Sequence, residues 1–146
     1  MILPREELKK KHSRDLKTLD ALEDYLRESF QICSTFDPET LSRKDLREVG
    51  ALTDRFQRAQ DFFVTHTLRA IDALEGESGT TLDVLNRSEQ RRIIDSSEAF
   101  IDMRSLRNTI AHEYAGYGPA DVLRDVLRFT PILLESFSRV RSYPIP

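Results

Sequence analysis

The sequence predicts an all-α protein: an antiparallel up-down bundle of four main helices with a short helical insertion before the third. Three observations predict it. Apolar residues recur at spacings of three and four through nearly the whole chain. The period-two alternation of a half-buried strand is absent, and Val and Ile are scattered. Only 5 Gly and 6 Pro interrupt 146 residues, which leaves room for long helices between them.

The first helix is expected over about Arg5 to Cys33, where Leu16, Leu19, Leu22, Leu26, Phe30 and Cys33 form one apolar stripe. The Lys9-Lys10-Lys11 run ahead of that stripe reads as a solvated helix start rather than an RNA-contacting patch. Asp37-Pro38 breaks the pattern, since Pro cannot continue a helix. The second helix is expected from about Ser42 to Leu74. Its stripe is Leu46, Val49, Leu52, Phe56, Ala59, Phe63 and Ala70, widened by Phe62, Val64, Leu68 and Ile71. Glu75 to Gly79 should end it, with Gly76 as the C-terminal cap.

Thr80 to Leu85 reads as a short helix capped by Thr80 with Asp83 three residues on, and Ser88 to Ile94 as another turn or two. Asp95 and Glu98 are expected to cap the third main helix, whose stripe is Phe100, Met103, Leu106 and Ile110. Gly116, Gly118 and Pro119 end it and begin the last helix, about Pro119 to Ser142, which carries Val122, Val126, Phe129, Leu133, Phe137 and Val140. Pro131 should kink or divide that helix. Residues 1–146 are expected to form a single domain.

Composition narrows the function. Charged residues make up 32% and the formal net charge is -3, which argues against non-specific coating of nucleic acid but leaves room for a site that grips one or two phosphates. The one cysteine, Cys33, precludes an internal disulfide and reads as a small buried hydrophobe. No apolar run approaches the ~20 residues of a membrane helix, and the charged N-terminus does not resemble a secretory signal. A cytoplasmic protein with no membrane association is the expectation. A phosphate-cradling glycine loop, paired cysteines at zinc spacing and His-Glu-x-x-His are all missing. No metal site and no cofactor are therefore expected.

Three histidines remain as candidates for proton transfer. His12 lies in a polar stretch and reads as a surface residue; His66, among apolar neighbours, reads as packed and hydrogen-bonded. His112 differs in its company. Asn108 lies four residues before it, on the same helical face, and Arg104 lies one turn before Asn108. Arg107 and Tyr114 are seven apart, about 20° out of line on a regular helix. A guanidinium, an imidazole and a phenol thus gather at one helix end. That set suits phosphodiester chemistry. His112 would move protons at a ribose hydroxyl or leaving oxygen, Arg107 would hold a phosphate, and Asn108 would orient the imidazole or the substrate. RNA supplies its own 2′-hydroxyl nucleophile. Spacing alone equally fits a helix end whose dipole favours cations.

At these residues the chain resembles HEPN domains, all-α bundles marked by Arg, four to six residues, then His. Arg107, Asn108 and His112 match, and Tyr114 two residues on is similar to the Arg-x4-His-x-Tyr variant of small HEPN proteins encoded beside minimal nucleotidyltransferases. Ser97 to Phe100 and Met103 to Leu106 extend the likeness, which is specific over about Glu98 to Tyr117. The resemblance implies a metal-independent endoribonuclease toxin that cleaves cellular tRNA or mRNA as a homodimer. Arg107 and His112 would be catalytic in pairs and Arg104 would bind substrate. It also implies an antitoxin nucleotidyltransferase that transfers AMP onto Tyr114, adding charge and bulk where RNA phosphate must sit. The alternative within the resemblance is a non-catalytic substrate-binding partner subunit of a nucleotidyltransferase. Glu113, Asp102 and the acidic overall charge oppose phosphate attraction and bear on that choice.

Overall fold

A computed structural model of the chain describes residues 3–112 and 116–146, apart from the side chains of Ala111 and His112. These residues form α-helices α1 (Arg5–Cys33), α2 (Arg43–Phe62), α3 (Arg69–Leu74), α4 (Thr81–Gln90), α5 (Ser97–His112) and α6 (Pro119–Ser142), with a π-helical segment, Phe63–Leu68, joining α2 to α3. The described residues include no strand, in keeping with the all-α expectation. None of their helices is long and apolar enough to cross a membrane.

Each main boundary has a local chemical cause. Pro4 precedes α1, whose first turn holds Glu6 and Glu7 against the positive end of the helix dipole. Ser42 caps α2 reciprocally with Asp45: the Ser hydroxyl accepts from the Asp45 N–H at 3.1 Å, and the Asp carboxylate accepts from the Ser42 N–H at 3.1 Å. Gly76, at φ 79°, ends α3. The Glu77 N–H reaches the Asp72 carbonyl and the Gly76 N–H reaches Ala73, the paired bonds of a Schellman cap. Thr80 and Asp83 cap α4 as the sequence predicts.

Other expectations need correction. The two short pieces expected over Thr80 to Leu85 and Ser88 to Ile94 are one helix, α4, followed by a turn in which Arg92 takes φ 62°. Helix α5 is capped by Ser96 rather than by Asp95 and Glu98: the Ser96 hydroxyl accepts from the Ala99 N–H at 3.0 Å, and Asp95 instead pairs with Arg139 of α6 at 2.5 Å. Pro131 does not divide α6, which runs unbroken through it. The Thr130 hydroxyl donates to the Val126 carbonyl at 2.6 Å beside the proline, which supplies no N–H of its own. The long second helix is continuous, but its π segment was not legible in the apolar pattern.

The core is one cluster. Leu19, Leu26 and Cys33 of α1 meet Val49, Leu52, Phe56 and Ala59 of α2, and Val126, Leu133 and Phe137 of α6 close over them. Phe63 of the π segment packs 5.9 Å from Phe100 of α5 and 5.0 Å from Phe137 of α6, measured between ring centroids. The segment thus sits where three helices converge. Arg55 of α2 ties back to α1, donating to the Tyr25 carbonyl at 3.2 Å and the Ser29 hydroxyl at 2.7 Å.

A second fastening is ionic. Asp72 of α3 is 2% exposed. One oxygen accepts from Arg87 Nε at 3.0 Å and Nη2 at 2.5 Å, and the other accepts from Arg91. Arg91 also binds Glu75 at 2.7 Å, and Glu75 accepts from the Tyr143 hydroxyl at 2.5 Å. This network holds α4, and with it the wall of the candidate site, against α3 and the residues after α6.

Candidate functional site

The sequence singles out α5, and the structure places its polar face in a cleft of about 570 Å³. Ile101, Arg104, Ser105 and Asn108 recur at intervals of three and four, so one face of α5 lines the cleft, and Arg107 lies beside them. Gln60 and Asp61 of α2 form the opposite wall, and Thr81, Leu82 and Leu85 of α4 close a third side. Phe100, Met103 and Leu106 occupy the other face of α5 and are buried, which fixes the rotation of the helix.

Arg104, Arg107 and Asn108 are therefore brought together at one cleft. α5 holds as a helix to His112, one turn beyond Asn108. The His112 side chain and Tyr114 lie outside the described residues.

Two features of this cleft were not singled out from sequence. Arg104 Nη1 stands 3.6 Å from Asp61 Oδ1, a loose ion pair between half-exposed groups, and that nitrogen has no hydrogen-bond partner among the described residues. Gln60 is 2% exposed and its Oε1 also lacks a partner there. A guanidinium N–H and an amide oxygen are thus left unsatisfied beside one cleft, and leaving a buried polar atom unpaired costs about 1–3 kcal/mol unless a ligand or water completes it. Gln60 had a signal in the sequence: it is a polar residue four positions after Phe56, at the edge of an apolar stripe. Arg107 and Asn108 are exposed, and Arg107 forms no ion pair with any described residue. The arrangement can hold an anionic group with Arg104 and Arg107 and an amide or hydroxyl donor with Gln60.

The other two histidines exchange the roles expected of them. His12 is 5% exposed rather than a surface residue, and its Nδ1 has no partner among the described residues. Burial lowers its pKa below the usual 6.5; Asp15 opposes that shift and Lys11 adds to it. His66 is exposed, and instead of being packed and hydrogen-bonded it stacks on Phe62, with ring centroids 4.7 Å apart. Cys33 is fully buried as expected, and burial, with Glu48 and Asp45 nearby, pushes its thiol up to about 11. The lysine run spreads over several contacts: Lys9 pairs with Glu6, Lys10 with Glu7 and Lys11 with Asp15.

Compared with known proteins, the chain matches no family model and no curated protein.

Proposed function

We propose that the chain is a metal-independent endoribonuclease of the HEPN type, acting as a toxin on tRNA or mRNA. The observation that carries this reading is the convergence of Arg104, Arg107 and Asn108 on one cleft at the end of a helix that runs to His112. In this reading the long helices α1, α2 with α3, α5 and α6 are the four of an antiparallel HEPN bundle, and α4 is its insertion. Arg104 and Arg107 bind the scissile phosphate and stabilise the charge that develops on it. His112 transfers the proton and Asn108 positions it. One motif per chain supplies a single imidazole, so a homodimer provides the second proton-transfer group across its two-fold axis. A partner nucleotidyltransferase silences the site by placing AMP on Tyr114, seven residues after Arg107 in the sequence, where the added negative charge opposes RNA phosphate.

The test is cleavage of purified tRNA and mRNA in the presence of a chelator. Arg107→Ala and His112→Ala should each lower the rate at least about a hundredfold. Co-expression with the nucleotidyltransferase should add the mass of AMP to the peptide containing Tyr114. A wild-type protein that leaves RNA intact, yet binds the nucleotidyltransferase stably, would establish the non-catalytic partner subunit instead. The Asp61 carboxylate opposite Arg104 is the observation that favours that second reading.

A further inference from the structure

A second cleft, of about 460 Å³, lies further along the same helical rod. Its polar lining comes from Lys11 of α1, Thr65, His66 and Arg69 of the rod, and Glu77 and Ser78 of the turn that follows. The two clefts adjoin. Arg69 lines the second and donates through Nη2 to the Thr81 hydroxyl, which lines the first, at 3.2 Å; through Nη1 it donates to the Gly79 carbonyl at 3.0 Å. Asp61 of the first cleft is one turn from Thr65 of the second, whose hydroxyl donates to the Asp61 carbonyl at 2.8 Å.

His66 is the unusual member of this lining. It is exposed, its imidazole has no hydrogen-bond partner among the described residues, and the ring stacks on half-buried Phe62 at an interplanar angle of 21°. Phe62 packs against the core, so the pair is anchored on one side and open on the other. Such an aromatic platform, with Lys11 and Arg69 in the same cleft, is what unstacked nucleobases and a phosphate backbone require; Lys11 would exchange its pairing with Asp15 for a phosphate. It does not suit a duplex, whose bases are already stacked and whose edges lie in grooves. The carboxylates nearby stand against cations: Asp61 at 3.6 Å from Arg104, Asp15 at 2.7 Å from Lys11 and Glu77 at 3.9 Å from Arg87. His66 lies about 7 Å along the rod from Asp61, a distance that a neighbouring nucleotide spans.

We propose that the second cleft continues the first as a path for single-stranded RNA. A strand whose phosphate lies on Arg104 and Arg107 runs past Arg69 and sets a flanking base on the His66–Phe62 stack, with Lys11 facing its backbone. The inference rests on the nuclease reading above and extends it to substrate selection. Sites with an unpaired flanking base are taken and fully duplexed ones are passed over.

The probe is a fluorescein-labelled single-stranded 2′-O-methyl RNA, which lacks the hydroxyl nucleophile and reports binding without cleavage. His66→Ala should weaken its binding about tenfold, and His66→Tyr should retain wild-type affinity. Lys11→Gln should lower the slope of log affinity against log salt by about 0.7, whereas His66→Ala should leave that slope unchanged. Thermal melts of the variants establish that they are folded. Wild-type affinity in His66→Ala, or an equal loss in His66→Tyr and His66→Ala, overturns the path; continued cleavage of natural RNA by the wild type would leave the nuclease reading standing. A wild-type protein that neither binds the probe nor cleaves RNA overturns both.

Discussion

Replacing Asp72 by alanine should cost far more than any surface ion pair. Its carboxylate, 2% exposed, accepts from two arginines whose side chains are only 23% and 11% exposed. Removing one partner of a buried pair typically costs about 3–5 kcal/mol, because the remaining charge is left desolvated. Here the loss is partly cushioned. Arg87 keeps the Ser78 carbonyl at 3.0 Å, and Arg91 keeps Glu75 at 2.7 Å. The expected cost is therefore near the lower end, about 3 kcal/mol. For a chain of this size, about 3 to 4 °C per kcal/mol converts that to a fall of about 10 °C in Tm. Urea unfolding should show a lower midpoint with an unchanged slope. Asp54→Ala, which breaks an exposed pair with Arg58 on α2, is the control and should change stability by no more than about 0.5 kcal/mol. A loss below about 1 kcal/mol for Asp72→Ala would refute the claim that this network fastens α4.

Two further perturbations probe separate features. His12→Gln should flatten the acid side of the stability profile. Burial keeps the His12 folded pKa below 6.5, so the unfolded chain binds the extra proton first; the stability that neutral His12 contributes is complete above 6.5 and is lost as pH falls towards the lowered folded value. Urea melts across that window should slope upward with pH in the wild type and less so in the variant. Gly79→Ala should destabilise by about 1–3 kcal/mol, since φ is +144° and the added Cβ would meet Asp83 Oδ2 at 2.5 Å, disturbing the cap of α4. An unchanged melting temperature would show that the cap accommodates it.

Much of the fold was legible because the helical stripes are long. Leu19, Leu26, Phe56, Phe100 and Phe137 each belong to a stripe whose spacings of three and four indicate helix, and all are buried. On the candidate site, Arg104, Arg107 and Asn108 were legible from their spacing on α5. Gln60, Asp61, Thr81 and Leu82 reach the same cleft only through the packing of three helices, which spacing within one helix does not encode. His12 was misread although the stripe of α1 extends back to it, four residues before Leu16 and seven before Leu19. His66 was misread for another reason. Three residues after Phe63, a regular helix would carry it onto the buried side; the wider π turn buries Thr67 instead and leaves His66 outside.

That wider turn also divides the labour of one rod. Asp61 and Asp72 are eleven residues apart, and on an uninterrupted α-helix they would project within about 20° of each other. The extra residue accommodated in Phe63–Leu68 removes that coincidence by roughly the 100° that one residue contributes. One acid is thereby aimed at Arg104 of α5 and the other at Arg87 of α4 and Arg91 just after it. The π segment acts as a phase shifter: a single continuous helix addresses two neighbours in two directions, and no loop is needed between them.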